Sequence, residues 1–179
     1  MKPKINYALY KTRLGPMVLA ATEKGLCALQ FADPNAQAET LLSQEFPLAV
    51  FKKVPVKSVS ILKEWGAAFD VYLKGERPLQ KLPLDIQGTD FQRKVWGYLQ
   101  TIPSGETRSY SQVAKAIGKP RAFRAAASAC ARNHLAIAIP CHRIIHGSGN
   151  VSGYRWGLER KRALLSLERR ERQNRKEFK

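Results

Sequence analysis

The 179-residue chain carries 31 Lys and Arg against 14 Asp and Glu, a formal net charge of +17 on an otherwise ordinary apolar content. A surface this basic implies a polyanionic partner, nucleic acid ahead of membrane. No apolar stretch approaches a membrane span, and Met1-Lys2-Pro3-Lys4 lacks the apolar core of a signal peptide. Cys27, Cys130 and Cys141 show no Cys-x-x-Cys spacing, so a disulfide framework and a zinc site are both disfavoured. A cytoplasmic chain without metal or cofactor is expected.

In chain order, Ile5–Tyr10, Met17–Thr22 and Leu26–Phe31 are β-prone runs, punctuated by Leu14-Gly15-Pro16 and Glu23-Lys24-Gly25. Helical spacing predicts a helix over Ala36–Phe46, stopped by Pro47, and a second over Val59–Leu73, ended by Gly75. These elements form a small α+β lobe with a Pro- and Leu-rich linker, over residues 1–83. From residue 84 to 179 the pattern turns helical.

Thr89-Asp90 offers caps for a helix with Phe91, Val95, Tyr98 and Leu99 on one stripe, which Pro103-Ser104-Gly105 ends. Ser109-Tyr110-Ser111-Gln112 reads as a capping box for a short helix through Ile117. Gly118-Lys119-Pro120 breaks that helix and Arg121–Ala131 starts the next, a helix-turn-helix arrangement. Ala122, Ala125, Ala126, Ala127, Ser128 and Ala129 leave the second helix nearly free of bulk, with Arg121 and Arg124 standing out. Such a helix either packs tightly inside the protein or approaches a nucleic-acid backbone closely. The charge favours DNA. The final helix covers Leu158–Glu177, and Leu164, Leu165 and Glu168 place one carboxylate beside a leucine stripe. Glu168 is therefore expected inward, ahead of Glu171 and Glu177; the competing reading is a solvated pair with Arg172.

Chemistry concentrates in Ile139-Pro140-Cys141-His142-Arg143. Leu135–Ile139 reads as a short buried strand, and Pro140 holds it extended. Cys141 then sits half-shielded at a core rim with an imidazole next to it. Burial alone makes a thiol inert, whereas a neighbouring base yields a thiolate. Neighbouring side chains of an extended segment face opposite ways, so the pair needs a turn or a bridging water. Cys27 and Cys130 read as small core residues, and His134 and His146 as surface residues.

Pro140-Cys141-His142-Arg143, preceded by Asn133, resembles the active-site signature of the O6-alkylguanine-DNA alkyltransferases. Ser109-Tyr110, Gly118-Lys119-Pro120, Arg124 and Gly153-Tyr154-Arg155-Trp156-Gly157 follow the family's order. The likeness spans Tyr7-Ala8-Leu9 through Pro83-Leu84-Asp85-Ile86 to the last helix. It resembles in particular the C-terminal alkyltransferase domain of the bacterial Ada adaptive-response proteins. The resemblance implies a ribonuclease-H-like N-terminal lobe and a DNA-binding C-terminal lobe. It also implies irreversible transfer of methyl from O6-methylguanine, and from O4-methylthymine in relatives, to Cys141 after base flipping. Its implied roles are His142 as base through water, Glu168 orienting it, and Tyr110 protonating the leaving guanine. Arg124 fills the vacated stack in the minor groove, while Arg121, Ala125, Ala126, Ala127 and Ser128 make up the DNA face. Asn133, Pro140, Tyr154 and Arg155 build the pocket. The partner is double-stranded DNA carrying O6-alkylguanine, bound by a monomer. Arg155 stands where some relatives carry a small residue, which implies a narrower pocket. No counterpart of the zinc domain of full-length Ada is expected.

Two other readings use the same residues. A lesion-binding protein on this scaffold would lack the nucleophile, which Cys141 supplies. A cysteine hydrolase of small substrates would turn over without DNA and would need neither Arg124 nor the basic surface.

Overall fold

The computed structural model describes residues 2–32 and 37–177, which divide into two compact units. The first contains residues 1–74, 79–86 and 134–136. Three strands, β1 (Lys4–Thr12), β2 (Gly15–Ala21) and β3 (Leu26–Phe31), form an antiparallel meander. A fourth strand, β4 (Val50–Lys53), pairs parallel to β1, giving the order β3-β2-β1-β4. Helix α1 (Ala38–Glu45) begins later than the sequence suggests, and the expected start at Ala36 lies outside the described residues. Phe46, Leu42, Ile5, Tyr7, Val18 and Ala20 share one core. Helix α2 (Ser60–Leu73) packs against β1, β2 and β3 and buries Leu62, Trp65 and Phe69. Every residue of β3 is buried, as a strand covered on both faces requires. Backbone bridges from Leu26 to Leu84 and from Leu29 to Leu135 close its outer edge.

His134 belongs to this unit and is buried, not exposed: its ring meets Phe46 edge-on at 5.5 Å, and Nδ1 lies 3.8 Å from Glu45. The apolar run Leu135–Ile139 is also not a strand. Only Leu135 makes a bridge, and Ile137 adopts φ +67°, turning the chain where a strand would continue. A positive φ at a β-branched residue is strained and persists only when its surroundings enforce it.

The second unit holds residues 75–78, 87–133 and 137–179. Helix α3 (Asp90–Leu99) starts with a reciprocal capping box between Thr89 and Gln92. It docks on α5 (Phe123–Ala131) by a bond from Trp96 Nε1 to Ala129 O, 2.9 Å. A two-residue strand β5 (Arg108–Ser109) pairs parallel with β6 (Ile144–Ile145) and leads directly into α4 (Tyr110–Ala116). The Ser109–Gln112 capping box closes in both directions. Helix α5 begins two residues after Arg121, so Arg121 lies in the turn between α4 and α5, where Gly118 takes φ +73°. Helix α6 (Leu158–Glu177) buries Lys161, Leu164, Leu165, Leu167, Glu168 and Glu171. Glu171 is thus buried like Glu168: it accepts from Ser104 Oγ at 2.9 Å and pairs with Arg175.

Candidate active site

All the site residues expected from sequence fall within the second unit. Cys141, His142 and Arg143 form a 3₁₀ turn directly after Pro140. The turn frees the two neighbouring side chains from the alternation an extended segment would impose. Cys141 is 5% exposed, more enclosed than a rim position, and His142 is fully buried.

Cys141 lies on a cavity of about 400 Å³. Its walls come from Tyr110 at the start of α4, from Ala127, Cys130 and Ala131 of α5, and from Gly153-Tyr154-Arg155. Burial pushes the Cys141 thiol up to about 11, opposed by Asn133 and by the nearby Lys161 and Arg155 cations. Asn133 Nδ2 donates both to Cys141 Sγ (3.2 Å) and to Ile139 O (2.9 Å). It sits just past α5, whose C-cap is Arg132, so it ties the helix end to the nucleophile turn.

Behind the thiol, His142 Nε2 lies 2.9 Å from Glu168 Oε1. The same carboxylate accepts from Arg143 Nη2 (2.8 Å) and Nε (2.9 Å) and from Gly105 N (3.2 Å). Burial alone would raise the Glu168 carboxyl, yet His142 and Arg143 hold it well below the usual carboxylate range. An ionised Glu168 accepts only, so Nε2 carries the proton and donates, and Nδ1 is the bare nitrogen. Nδ1 is buried with no hydrogen-bond partner among the described residues. Burial moves the His142 pKa down, against the pull of Glu168, so the imidazole is neutral near pH 7. Glu168 thus points inward, as its place beside the leucine stripe predicts, and not into a solvated pair with Arg172, which bonds Glu106 and Gly105 O. Gly105, at φ +79°, leaves no room for a side chain, since a Cβ would come within 2.9 Å of Glu168 O.

Tyr110 is pushed up to about 12 by burial and by its closeness to Cys130 and Cys141, so it keeps its proton at neutral pH. The Tyr154 hydroxyl is buried without a hydrogen-bond partner among the described residues, and its ring meets Trp156 at 5.3 Å. Arg155 lines the cavity and donates to Asn133 O. On α5, Arg124, Ala125 and Ser128 are exposed and Ala127 faces the cavity. Ala126 does not belong to an outer face: it is fully buried, packed with Ala129 and Cys130 on the inner side.

Three participants escape the sequence reading. Arg143 anchors Glu168 and also donates to Ile102 O. Lys161, fully buried, donates from Nζ to the carbonyls of Ile144, Ser152 and Gly153, clamping the loop that carries the cavity wall. Its spacing of i, i+3, i+4 and i+7 with Leu164, Leu165 and Glu168 is a signal that could have placed it inward. Cys130, read as a core residue, is buried but also lines the cavity.

Residues 5–86 match the family model described as the ribonuclease-like domain of 6-O-methylguanine DNA methyltransferase, and residues 90–170 match its DNA binding domain. The chain is 48% identical over 164 residues to the bifunctional transcriptional activator/DNA repair enzyme Ada of Escherichia coli K12. That match covers 92% of the chain but 45% of Ada, so the chain spans about half of that relative's length. It is 39% identical over 166 residues to a methylated-DNA–protein-cysteine methyltransferase of Mycolicibacterium paratuberculosis, covering 93% of both. The crystal structure of Mycobacterium tuberculosis OGT in complex with DNA superimposes with a TM-score of 0.79 at 36% identity, over 93% of this chain and 94% of that one. With family models matching residues 5–86 and 90–170 and a relative 39% identical over nearly its whole length, the chain belongs to the 6-O-methylguanine-DNA methyltransferase family.

Proposed function

We propose that this chain repairs double-stranded DNA by moving the methyl group of O6-methylguanine irreversibly to Cys141 Sγ. O4-methylthymine is a second substrate of the same step. The observation that carries this reading is the position of Cys141. It lies on a cavity of about 400 Å³, large enough to admit a base, with an amide donor on its sulfur and the His142–Glu168–Arg143 network built on the same turn.

The base leaves the stack to reach a buried thiol, at a cost of a few kcal/mol of unstacking. Arg124 takes its place, α5 lies in the minor groove, and Arg121, Ala125 and Ser128 meet the backbone. The thiol proton passes through a water to His142 Nδ1, and Glu168 stabilises the imidazolium. The thiolate attacks the methyl carbon. The S–C bond forms, the C–O6 bond breaks, and its electron pair returns to guanine. Tyr110 donates a proton to N3, so guanine departs neutral, and solvent restores the tyrosine proton. Asn133 holds the sulfur in line, and Tyr154 and Arg155 enclose the base. S-Methylcysteine has no route back to thiol, so each molecule acts once. The chain acts as a monomer in the cytoplasm; no helix among the described residues is long and apolar enough to cross a membrane.

The test is peptide mass spectrometry after incubation with an O6-methylguanine duplex. A single methyl increment on the Cys141 peptide, absent in Cys141→Ala, is expected. Tight, salt-dependent binding without that increment would leave a lesion-binding protein instead.

A further inference from the structure

Helix α5 presents one face to the cavity through Ala127, Cys130 and Ala131. Phe123 stands four residues before Ala127, so it continues the same face one turn outward, by about 6 Å. It is 44% exposed, a large aromatic ring on a helix otherwise built from Ala, Ser and Cys around Arg124. The Arg124 guanidinium lies over this ring, 5.8 Å from its centroid. A singly exposed apolar side chain is ordinary on a protein surface; this one is set apart by the guanidinium held over its ring. On a chain at +17, beside two exposed arginines, the expected partner is a polyanion. The flat apolar surface a DNA duplex offers is its base stack, and apolar side chains delivered from the minor groove enter it as wedges.

We propose that Phe123 and Arg124 form a two-part wedge, in which the Phe123 ring stacks on the base next to the extruded guanine and braces Arg124 in the gap. This rests on the repair reading above and adds a DNA-positioning residue to it. Phe123 is not a catalytic residue, since its position lies one turn beyond the cavity-lining part of α5.

The experiment compares the parent protein with Phe123→Ala and Phe123→Tyr. Each is titrated with an O6-methylguanine duplex carrying 2-aminopurine beside the lesion, and each is also given free O6-methylguanine base. Base–aromatic stacking is worth about 1–3 kcal/mol by alanine substitution, so Phe123→Ala should raise the half-saturating duplex concentration roughly 5- to 150-fold. The maximal rate and the free-base reaction should stay within about two-fold. The 2-aminopurine signal specific to stacking should vanish in Phe123→Ala and return in Phe123→Tyr. The slope of affinity against salt should not change, because Phe123 neutralises no phosphate. Unchanged half-saturation and fluorescence would overturn the wedge. So would an equal loss on free base, which would make Phe123 a packing residue. Absence of methyl on Cys141 in the parent would sink the repair reading alone, because the binding titration and the fluorescence still decide Phe123.

Discussion

His142 and Glu168 meet at 2.9 Å with both side chains fully excluded from solvent, and Arg143 donates twice to the same carboxylate. The pair is therefore a fixed device that sets which imidazole nitrogen carries the proton. Removing the negative charge breaks it from both sides. Glu168→Gln should cost about 3–5 kcal/mol of stability, because it strands a buried guanidinium. It should also slow methyl transfer by about 10²–10⁴-fold, because a neutral amide cannot stabilise the imidazolium that forms on His142. Urea unfolding and single-turnover kinetics read the two effects separately.

The same carboxylate sets an acid limit. Its folded pKa lies well below the unfolded value of 4.5, so its contribution is complete above about pH 4.5 and is lost as pH falls below that. Stability should decline through this acid range in the parent and show a shallower decline in Glu168→Gln. Thermal melting at a series of pH values checks the sign.

Methyl transfer itself should follow His142. Burial places its pKa below 6.5, so the base form persists down to that pH and the rate should fall only in more acid solution. The thiol remains protonated across the neutral range, since its pKa is held up at about 11. A single-turnover pH profile with an acid midpoint at or above 6.5 would contradict this assignment of the base.

Much of this arrangement is legible in the chain because local signals agree. The turns bracketing β2, the Thr89 and Ser109 caps, and the leucine stripe that carries Glu168 inward each have a local physical cause. Strand β4 escapes because Val50–Lys53 is only four residues long and pairs parallel with β1, a partner distant in sequence. Leu135–Ile139 misleads for another reason. An apolar run reports burial but not direction, and the turn at Ile137 is enforced by tertiary surroundings. Helical spacing carries Lys161 to the inner face, but what Lys161 and Arg143 hold is not legible, because their acceptors are largely backbone carbonyls and a shared carboxylate.

Asn133 offers a narrower test of the nucleophile. Asn133→Ala removes the donor on Cys141 Sγ and one of the two donors on the Ile139 carbonyl, which keeps the Cys141 N–H at 2.8 Å, so the stability cost should be about 1 kcal/mol. Loss of a donor to the thiolate should move the Cys141 pKa further upward from about 11. Thiolate absorbance near 240 nm, with Cys141→Ala as blank, should rise at higher pH in the variant than in the parent.

Lys161→Met keeps the apolar stem and removes the cation that holds three carbonyls. Burial lowers the Lys161 pKa, with Cys141 and Cys130 opposing, so the clamp works by hydrogen bonds that a methionine cannot make. At about 1 kcal/mol for each stripped carbonyl, the loss should reach about 3 kcal/mol. The damage should be local first. Amide exchange should accelerate across residues 146–155 while the β1–β4 sheet keeps its protection. Because Gly153, Tyr154 and Arg155 wall the cavity, methyl transfer should weaken with that loop. Unaltered exchange there, with normal transfer, would mean the three bonds do not hold the wall.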